Sequence, residues 1–375
     1  MMKIRAAVIT EMGKPRPYGT SKPLSVRELE LDEPQRGEVL VKIKAAGLCH
    51  SDLSVINGSR PWPMPMVLGH EAAGIVQKTG EGVDDLAPGD HVACVFKPAC
   101  GHCLPCREGR PGLCVEGTKA NNAGTLLGGG IRLHDGDRTV YHHLGVSAFS
   151  DHIVASSRSL VKIDPSVPFE QAALFGCAVL TGVGEVINTA KVKAGATVAV
   201  VGLGGVGLSA LMGTVTSGAG EIIAVDINDR KLAFATSLGA THVFNSREKG
   251  TVEKIKQLTH GGVDYAFETA GAVPAMEVAY QITRPGGETI TSGLPHPESL
   301  FSFPQVTLAA EERTIKGSYL GSCVPNRDIP RYISLFRQKR LPVDQLLSKI
   351  IPLEEINEGF EQLAAGEVNR IVVVP

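Results

Sequence analysis

Hydrophobic and polar positions follow one rule in the first hundred residues and another after about residue 178. In the first part, apolar residues come in short alternating runs: 39–45 and 73–78 read as strands. The turn Ala87-Pro88-Gly89-Asp90 leads into a further strand at 91–95. This pattern predicts a mostly antiparallel β domain. The stretch 117–145 is glycine-rich and polar and reads as a long surface loop. Helical spacing then takes over at 171–189, and beyond it strands and helices alternate. Strands are expected at 197–201, 221–226, 242–244 and 263–268, with helices at 206–216 and 230–238. Repeated strand–helix units imply an α/β domain with a doubly wound parallel sheet. After about residue 321 the pattern weakens to a helix at 329–339 and a terminal strand at 370–374.

A chain of 375 residues is long enough for two hydrophobic cores. The division expected is 1–178 with 322–375 in one domain and 179–321 in the other. With a net charge of −2 there is no basic field, which argues against a nucleic-acid partner. The stretch 195–213 is almost wholly apolar and of membrane-spanning length. Its cluster of glycines between 202 and 207 marks it instead as a buried strand, a turn and the start of a helix. The N-terminus turns polar too early for a secretory signal, so a cytoplasmic protein with no membrane partner is expected. Eight cysteines without such a signal do not suggest a disulfide framework. Four of them fall between Cys100 and Cys114, a clustering that points to metal.

The strand ending at Val201 runs into Gly202-Leu203-Gly204-Gly205-Val206-Gly207, a G-x-G-x-x-G match. Alone the match is weak, but here a strand precedes it and a helix follows. Asp226 then closes the next strand 19 residues after Gly207. The glycines allow a tight turn and close approach to a pyrophosphate. The helix N-terminus offers it N–H groups and partial positive charge. Asp226 can accept hydrogen bonds from ribose hydroxyls and would repel a 2′-phosphate, which favours NAD over NADP.

Cys100, Cys103, Cys106 and Cys114 supply four soft ligands within 15 residues, which suits a closed tetrahedral zinc. Spacing alone also admits an iron–sulfur cluster. Cys94 sits on a strand outside the group and reads as an inert buried thiol. Cys49, His70 and Cys177 form a second, dispersed candidate: two thiols and an imidazole that would leave a fourth position open. By themselves Cys177 is equally a helix-core residue and His70 a hydrogen-bonded turn residue.

Gly-His-Glu-x-x-Gly at 69–74, the four-cysteine stretch and the glycine motif at 202–207 together resemble medium-chain zinc-dependent alcohol dehydrogenases. The likeness spans nearly the whole chain and looks strongest to the liver-type (class I/III-like) branch, which includes glutathione-dependent formaldehyde dehydrogenases. The resemblance implies a mostly β, GroES-like catalytic domain carrying a zinc lobe at 97–116, plus a Rossmann NAD-binding domain at 179–321. It further implies two zinc ions per chain, NAD, a small alcohol or aldehyde as substrate, and a homodimer paired through the sheet edge near 289–303.

Matched position by position, Cys49, His70 and Cys177 correspond to catalytic zinc ligands, a set that alcohol dehydrogenases themselves exemplify. Cys100, Cys103, Cys106 and Cys114 correspond to structural zinc ligands. Glu71 matches an acid behind the metal, and Asp52 a carboxylate that orients the histidine ligand. Ser51 matches the hydroxyl that takes the alcohol's proton. His50 and Arg370 match residues that meet the pyrophosphate, Lys231 one at the adenosine ribose, and Thr181 one at the nicotinamide. Phe96 matches a wall of the alcohol pocket, with Trp62 and Leu294 as further candidates.

Two departures stand out. Ser54 occupies the place where liver-type relays often end in histidine. Val115, Glu116, Gly117 and Thr118 follow Cys114 where the formaldehyde branch has an arginine, and Arg60 stands where that branch has an acid. The expected activity is therefore alcohol oxidation or aldehyde reduction with NAD. A formaldehyde-type dehydrogenase acting on S-(hydroxymethyl)glutathione is the enzymatic alternative. The other alternative is a non-catalytic protein that binds zinc and a dinucleotide.

Overall fold

The alternating runs near the N-terminus become strands because each has one face to bury. In β3 (Glu38–Gly47), Val39, Val41, Ile43 and Ala45 all point inward and are buried. The computed structural model describes residues 1–375. It divides into one unit of Met1–Cys177, Val324–Ser334 and Val343–Pro375, and a second of Ala178–Cys323 and Leu335–Pro342.

In the first unit, β1 (Met2–Ile9), β2 (Leu24–Leu31), β4 (Met66–Val67), β7 (Leu133–Asp135) and β8 (Arg138–His142) close a small barrel. Beside β3, the second sheet takes β5 (Ala72–Thr79), β6 (His91–Cys94), β9 (His152–Ser156) and β10 (Leu160–Lys162). Most of these strands pair antiparallel, although β4 and β8 run parallel.

The expectation of a loop at 117–145 is corrected here. Val115–Ala123 is a helix, and β7 and β8 form a hairpin within that range. The hairpin turns at Gly136, whose φ of +59° suits glycine. Leu133 and Val140 pack with Leu29, Leu31 and Val67 inside the barrel. Their burial was masked in the sequence by the surrounding glycine and polar residues.

The expected helix at 171–189 is broken. Phe169–Leu174 and Ala178–Gly184 are α-helical, and Glu185–Ala190 is a π-helical stretch. The break falls at Gly176, where a Cβ would lie 2.0 Å from the Cys94 carbonyl oxygen. Only glycine permits that approach, and it fixes the neighbouring Cys177.

The second unit contains β11 (Thr197–Val201), β12 (Glu221–Asp226), β13 (His242–Asn245), β14 (Val263–Glu268), β15 (Thr283–Thr291) and β16 (Thr314–Gly317). They form a six-stranded parallel sheet in the order β13-β12-β11-β14-β15-β16. Val198, Ala199 and Val200 of β11 are fully buried, as a central parallel strand requires. The apolar stretch 195–213 resolves into β11, the glycine turn and the helix Gly205–Thr216. No helix is long and apolar enough to cross a membrane. The placing of a sheet edge near 289–303 is also corrected. Residues 289–291 belong to β15, and β16 lies outside it. The chain then returns to the first unit, where β17 (Leu347–Pro352) and β18 (Arg370–Val374) extend the sheet beside β3.

Candidate functional site

Three separate parts of the first unit deliver ligand atoms to one buried spot. The chain leaves β3 at Gly47 and reaches Cys49 in extended conformation, just before the helix His50–Ile56. His70 precedes β5 and follows Gly69, whose φ of +94° and contact with the Phe149 backbone leave no room for a side chain. Cys177 ends the break described above. One ligand atom from each of Cys49, His70 and Cys177 falls within 4.8 Å of the other two, and all three residues are buried.

Asp52 organises this group. Its Oδ1 accepts from the Gly69 N–H at 3.0 Å and lies 3.1 Å from Nδ1 of His70. That bond commits Nδ1 to the carboxylate and leaves Nε2 as the ligand lone pair. Burial opposes a charge on Asp52, yet the imidazoles of His70 and His143 outweigh it and hold the carboxyl at about 2. Sequence reasoning missed His143, whose Nδ1 lies 3.1 Å from the same oxygen. No spacing rule connects it to Asp52. The two pocket candidates of this unit pack edge-on to the imidazoles: Phe96 on His70 and Trp62 on His143, each with centroids 5.6 Å apart.

Behind the ligands, Glu71 is fully buried with Oε2 3.2 Å from Nη1 of Arg370. The same Nη1 donates to the Leu48 carbonyl at 2.9 Å. Within this unit, then, the guanidinium assigned to a pyrophosphate is held at the metal group, a placement the sequence did not reveal. A hydrogen bond from the Cys177 thiol pushes the Cys49 pKa down, and the same contact pushes Cys177 up. Two thiols sharing a proton next to a preoriented imidazole form a donor set that fits a divalent zinc ion.

The lobe gathers its sulfurs equally closely: one ligand atom from each of Cys100, Cys103, Cys106 and Cys114 lies within 4.8 Å of the others. Backbone N–H groups point at them, from Cys100 and Gly117 to Cys114 Sγ at 3.2 and 3.3 Å. N–H groups of Val115 and Cys106 bring the Cys103 thiol down to about 6. Four sulfurs supplied with donors fit a closed tetrahedral ion. Burial pushes Cys94 up to about 12, consistent with an inert thiol. All eight cysteines are free.

In the second unit, Gly202 has φ +96°, and a Cβ on Gly207 would lie 1.8 Å from the Gly202 carbonyl oxygen. A Cβ on Gly204 would meet nothing within 4 Å, so the cradle is open on that side. Gly204 caps the helix Gly205–Thr216 without a side-chain hydrogen bond, leaving its first N–H groups available to an anion. Asp226 ends β12 with Oδ2 accepting from the Leu203 N–H at 2.6 Å and Oδ1 from the Asn228 N–H at 2.9 Å. Gly205 and Val206 open that helix, Lys231 lies in the first turn of the helix Asp229–Ser237, and Thr181 is buried in the helix Ala178–Gly184. Leu294 also lies in this unit and is half exposed. The cradle fits a dinucleotide pyrophosphate.

A GroES-like unit bearing a thiolate–imidazole metal group, joined in one chain to a doubly wound parallel sheet with a glycine cradle, defines a dehydrogenase of the zinc type. Residues 35–165 match the alcohol dehydrogenase GroES-like domain, and residues 205–338 match the zinc-binding dehydrogenase domain. The chain belongs to this family of zinc-binding alcohol dehydrogenases. It is similar to a benzyl alcohol dehydrogenase from Acinetobacter calcoaceticus, at 33% identity over 100% of this chain and 99% of that one, TM-score 0.93. An alcohol dehydrogenase zinc-binding domain protein from Burkholderia ambifaria is 35% identical over 100% and 99%, TM-score 0.94. An alcohol dehydrogenase from Thermus sp. ATN1 is 29% identical over 99% of each chain, TM-score 0.83.

Proposed function

We propose that this protein is a zinc- and NAD-dependent alcohol dehydrogenase of the liver-type branch, moving hydride reversibly between primary or aromatic alcohols and their aldehydes. The observation that carries this reading is the convergence of Cys49, His70 and Cys177 on one buried spot, with Asp52 orienting the histidine. When bound, zinc supplies Lewis acidity and NAD the hydride acceptor. The residues of the chain do the rest.

Cys49, His70 and Cys177 would hold the metal, and Asp52 fixes the imidazole tautomer for it. Ser51, two residues after Cys49, takes the alcohol proton. The Ser54 hydroxyl donates to the His50 carbonyl at 2.9 Å, so its own hydrogen is committed. The exposed His50 imidazole is therefore the better outer end of the path. Phe96 and Trp62 exclude water beside the ligands. In the second unit, the cradle 202–207 takes the pyrophosphate, Asp226 and Lys231 the adenosine ribose, and Thr181 the nicotinamide.

The protein works in the cytoplasm, where its free thiols stay reduced. It acts as a homodimer, the state that the likeness to the liver-type branch implies.

A panel of alcohols and aldehydes assayed by NADH absorbance, with metal measured on the same sample, tests this reading. Primary or aromatic alcohols should turn over with two zinc ions per chain and no response to glutathione. A rate that depends on glutathione would favour the adduct reaction, and one zinc with no turnover would favour a binding protein. Cys103→Ser should remove the lobe ion alone and lower Tm by about 5 °C or more. Metal analysis and calorimetry check this; a variant that keeps both ions at unchanged Tm contradicts the lobe assignment.

A further inference from the structure

The second unit contains a cavity of about 360 Å³ that neither the cradle nor the ribose contacts use. Its size suits a small molecule. The lining comes from residues ahead of β11, the start of β14 and part of β15, so the cavity lies at the amino edge of the sheet. The glycine cradle begins at the other end of β11, roughly 15 Å along the strand. A departure from sheet register shapes the cavity. β14 and β15 pair at Val263 and Thr283 and next at Tyr265 and Glu288, so one strand advances two residues while the other advances five. Residues 284–287 therefore bulge out of the ladder. Gly286 turns this bulge with φ +71°, and its N–H donates to the Glu311 carbonyl at 2.7 Å. Bulges recur beside functional sites, where they re-aim side chains.

Most of the charge around the cavity is already neutralised. Arg284 donates to Asp264 Oδ1 from Nε at 2.7 Å and from Nη2 at 2.6 Å, and the other oxygen of Asp264 accepts from the Thr197 N–H at 2.8 Å. Lys316 donates to Oε2 of Glu288 at 2.8 Å, which leaves Oε1 of Glu288 open. Two groups of the lining have no partner. Tyr265 is only 8% exposed, yet its hydroxyl makes no hydrogen bond. Burial, with the carboxylates of Glu288 and Asp264, pushes this phenol up, so it keeps its proton. Lys193 is exposed at the cavity and forms no ion pair. The strand order β11-β14-β15 sets these groups in a row: Lys193 on the β11 side, Tyr265 in the middle and Glu288 beyond it.

That row selects the chemistry of an occupant. The pairs Arg284–Asp264 and Lys316–Glu288 cancel, and the ammonium of Lys193 is left over. One negative charge on the ligand matches it. A cation would be repelled by Lys193, and an apolar molecule would leave the Tyr265 hydroxyl without a bond. The tyrosine donates well to a carboxylate oxygen, as does the lysine. The open oxygen of Glu288, one strand further on, can only accept, so the far end of the ligand must carry a donor such as a hydroxyl. Ala194, Gly195 and Ala196 present no bulky side chain, which leaves room for a flat body between the two ends.

We propose that this cavity binds a small hydroxy acid, with its carboxylate on Lys193 and Tyr265 and its hydroxyl on Glu288. The site is separate from the metal group and from the cradle, and it depends on neither of those readings.

Ligand-observed NMR titration of the zinc-loaded protein with 4-hydroxybenzoate, with and without NADH, tests it. The probe should bind at millimolar concentration or below, and NADH should leave its affinity unchanged. Benzoate lacks the hydroxyl and 4-hydroxybenzamide lacks the charge, and each should bind about tenfold more weakly. Lys193→Met and Tyr265→Phe should each weaken the probe about tenfold. Both variants should fold, because neither side chain has a partner to lose. In Glu288→Ala the preference for 4-hydroxybenzoate over benzoate should fall to within about twofold, whereas Glu288→Gln, which keeps an acceptor oxygen, should retain most of it. A wild-type protein that does not bind the probe overturns the proposal. So does binding that NADH abolishes, or that the Lys193 and Tyr265 variants leave unchanged, since either result places the probe elsewhere.

Discussion

Cys49→Ala is expected to lower kcat by about three orders of magnitude or more and to release one of two zinc ions, while NADH still binds. Each tenfold loss corresponds to about 1.4 kcal/mol of transition-state stabilisation, and a Lewis acid at the reacting oxygen supplies several. Removal of one thiolate leaves an imidazole and a thiol. The Glu71–Arg370 pair would then sit beside an incomplete ligand set. The fold should survive, because Cys49 precedes the helix His50–Ile56 without capping it by a side-chain hydrogen bond. The dinucleotide cradle lies in the other unit, so binding of NADH measures its integrity separately. Steady-state kinetics, elemental zinc analysis and calorimetric NADH titration on one preparation give the three readouts. Alcohol oxidation near the wild-type rate in a one-zinc variant would remove Cys49 from the site.

The contrast between what the sequence disclosed and what it withheld follows from the range of the interactions involved. β3 was legible because its apolar residues alternate locally, and Val39, Val41 and Ile43 are indeed the buried side. The glycine motif was legible because its strand, turn and helix are contiguous. The lobe was legible because four ligands fall on one short loop. Each signal is local.

The misjudged hairpin of β7 and β8 shows the limit. Leu133 and Val140 are buried by strands from residues 24–31 and 66–67, and no property of 117–145 announces that company. The convergence of Cys49, His70 and Cys177 is non-local in the same way and was inferred only through family resemblance. His143 goes further. It falls in the stretch read as a loop, and no local pattern singles it out. Only the approach of Asp52 gives it meaning. Arg370 is a milder case. Its match to a pyrophosphate position concealed a buried guanidinium bonded to Leu48 and Glu71.

Asp226→Gly should lower kcat/KM for NAD by about a hundredfold and raise the relative use of NADP by about a thousandfold. Two distinct effects combine in that figure. The first is electrostatic: a carboxylate at the end of β12 would accept from ribose hydroxyls and repel a 2′-phosphate, and glycine does neither. The second is positional. Oδ2 accepts from the Leu203 N–H and Oδ1 from the Asn228 N–H, so the carboxylate pins the glycine turn to the following loop. Its removal frees the Leu203 N–H inside the cradle and weakens both cofactors alike. Asp226→Asn separates the contributions, since the amide oxygen can keep one of those bonds while the charge is gone. In that variant the NADP-to-NAD preference should still rise, but pyrophosphate binding, read through ADP-ribose affinity, should change little. If the cofactor ratio stays at its wild-type value in both variants, Asp226 serves only to hold the turn, and discrimination at the ribose must come from elsewhere in the second unit.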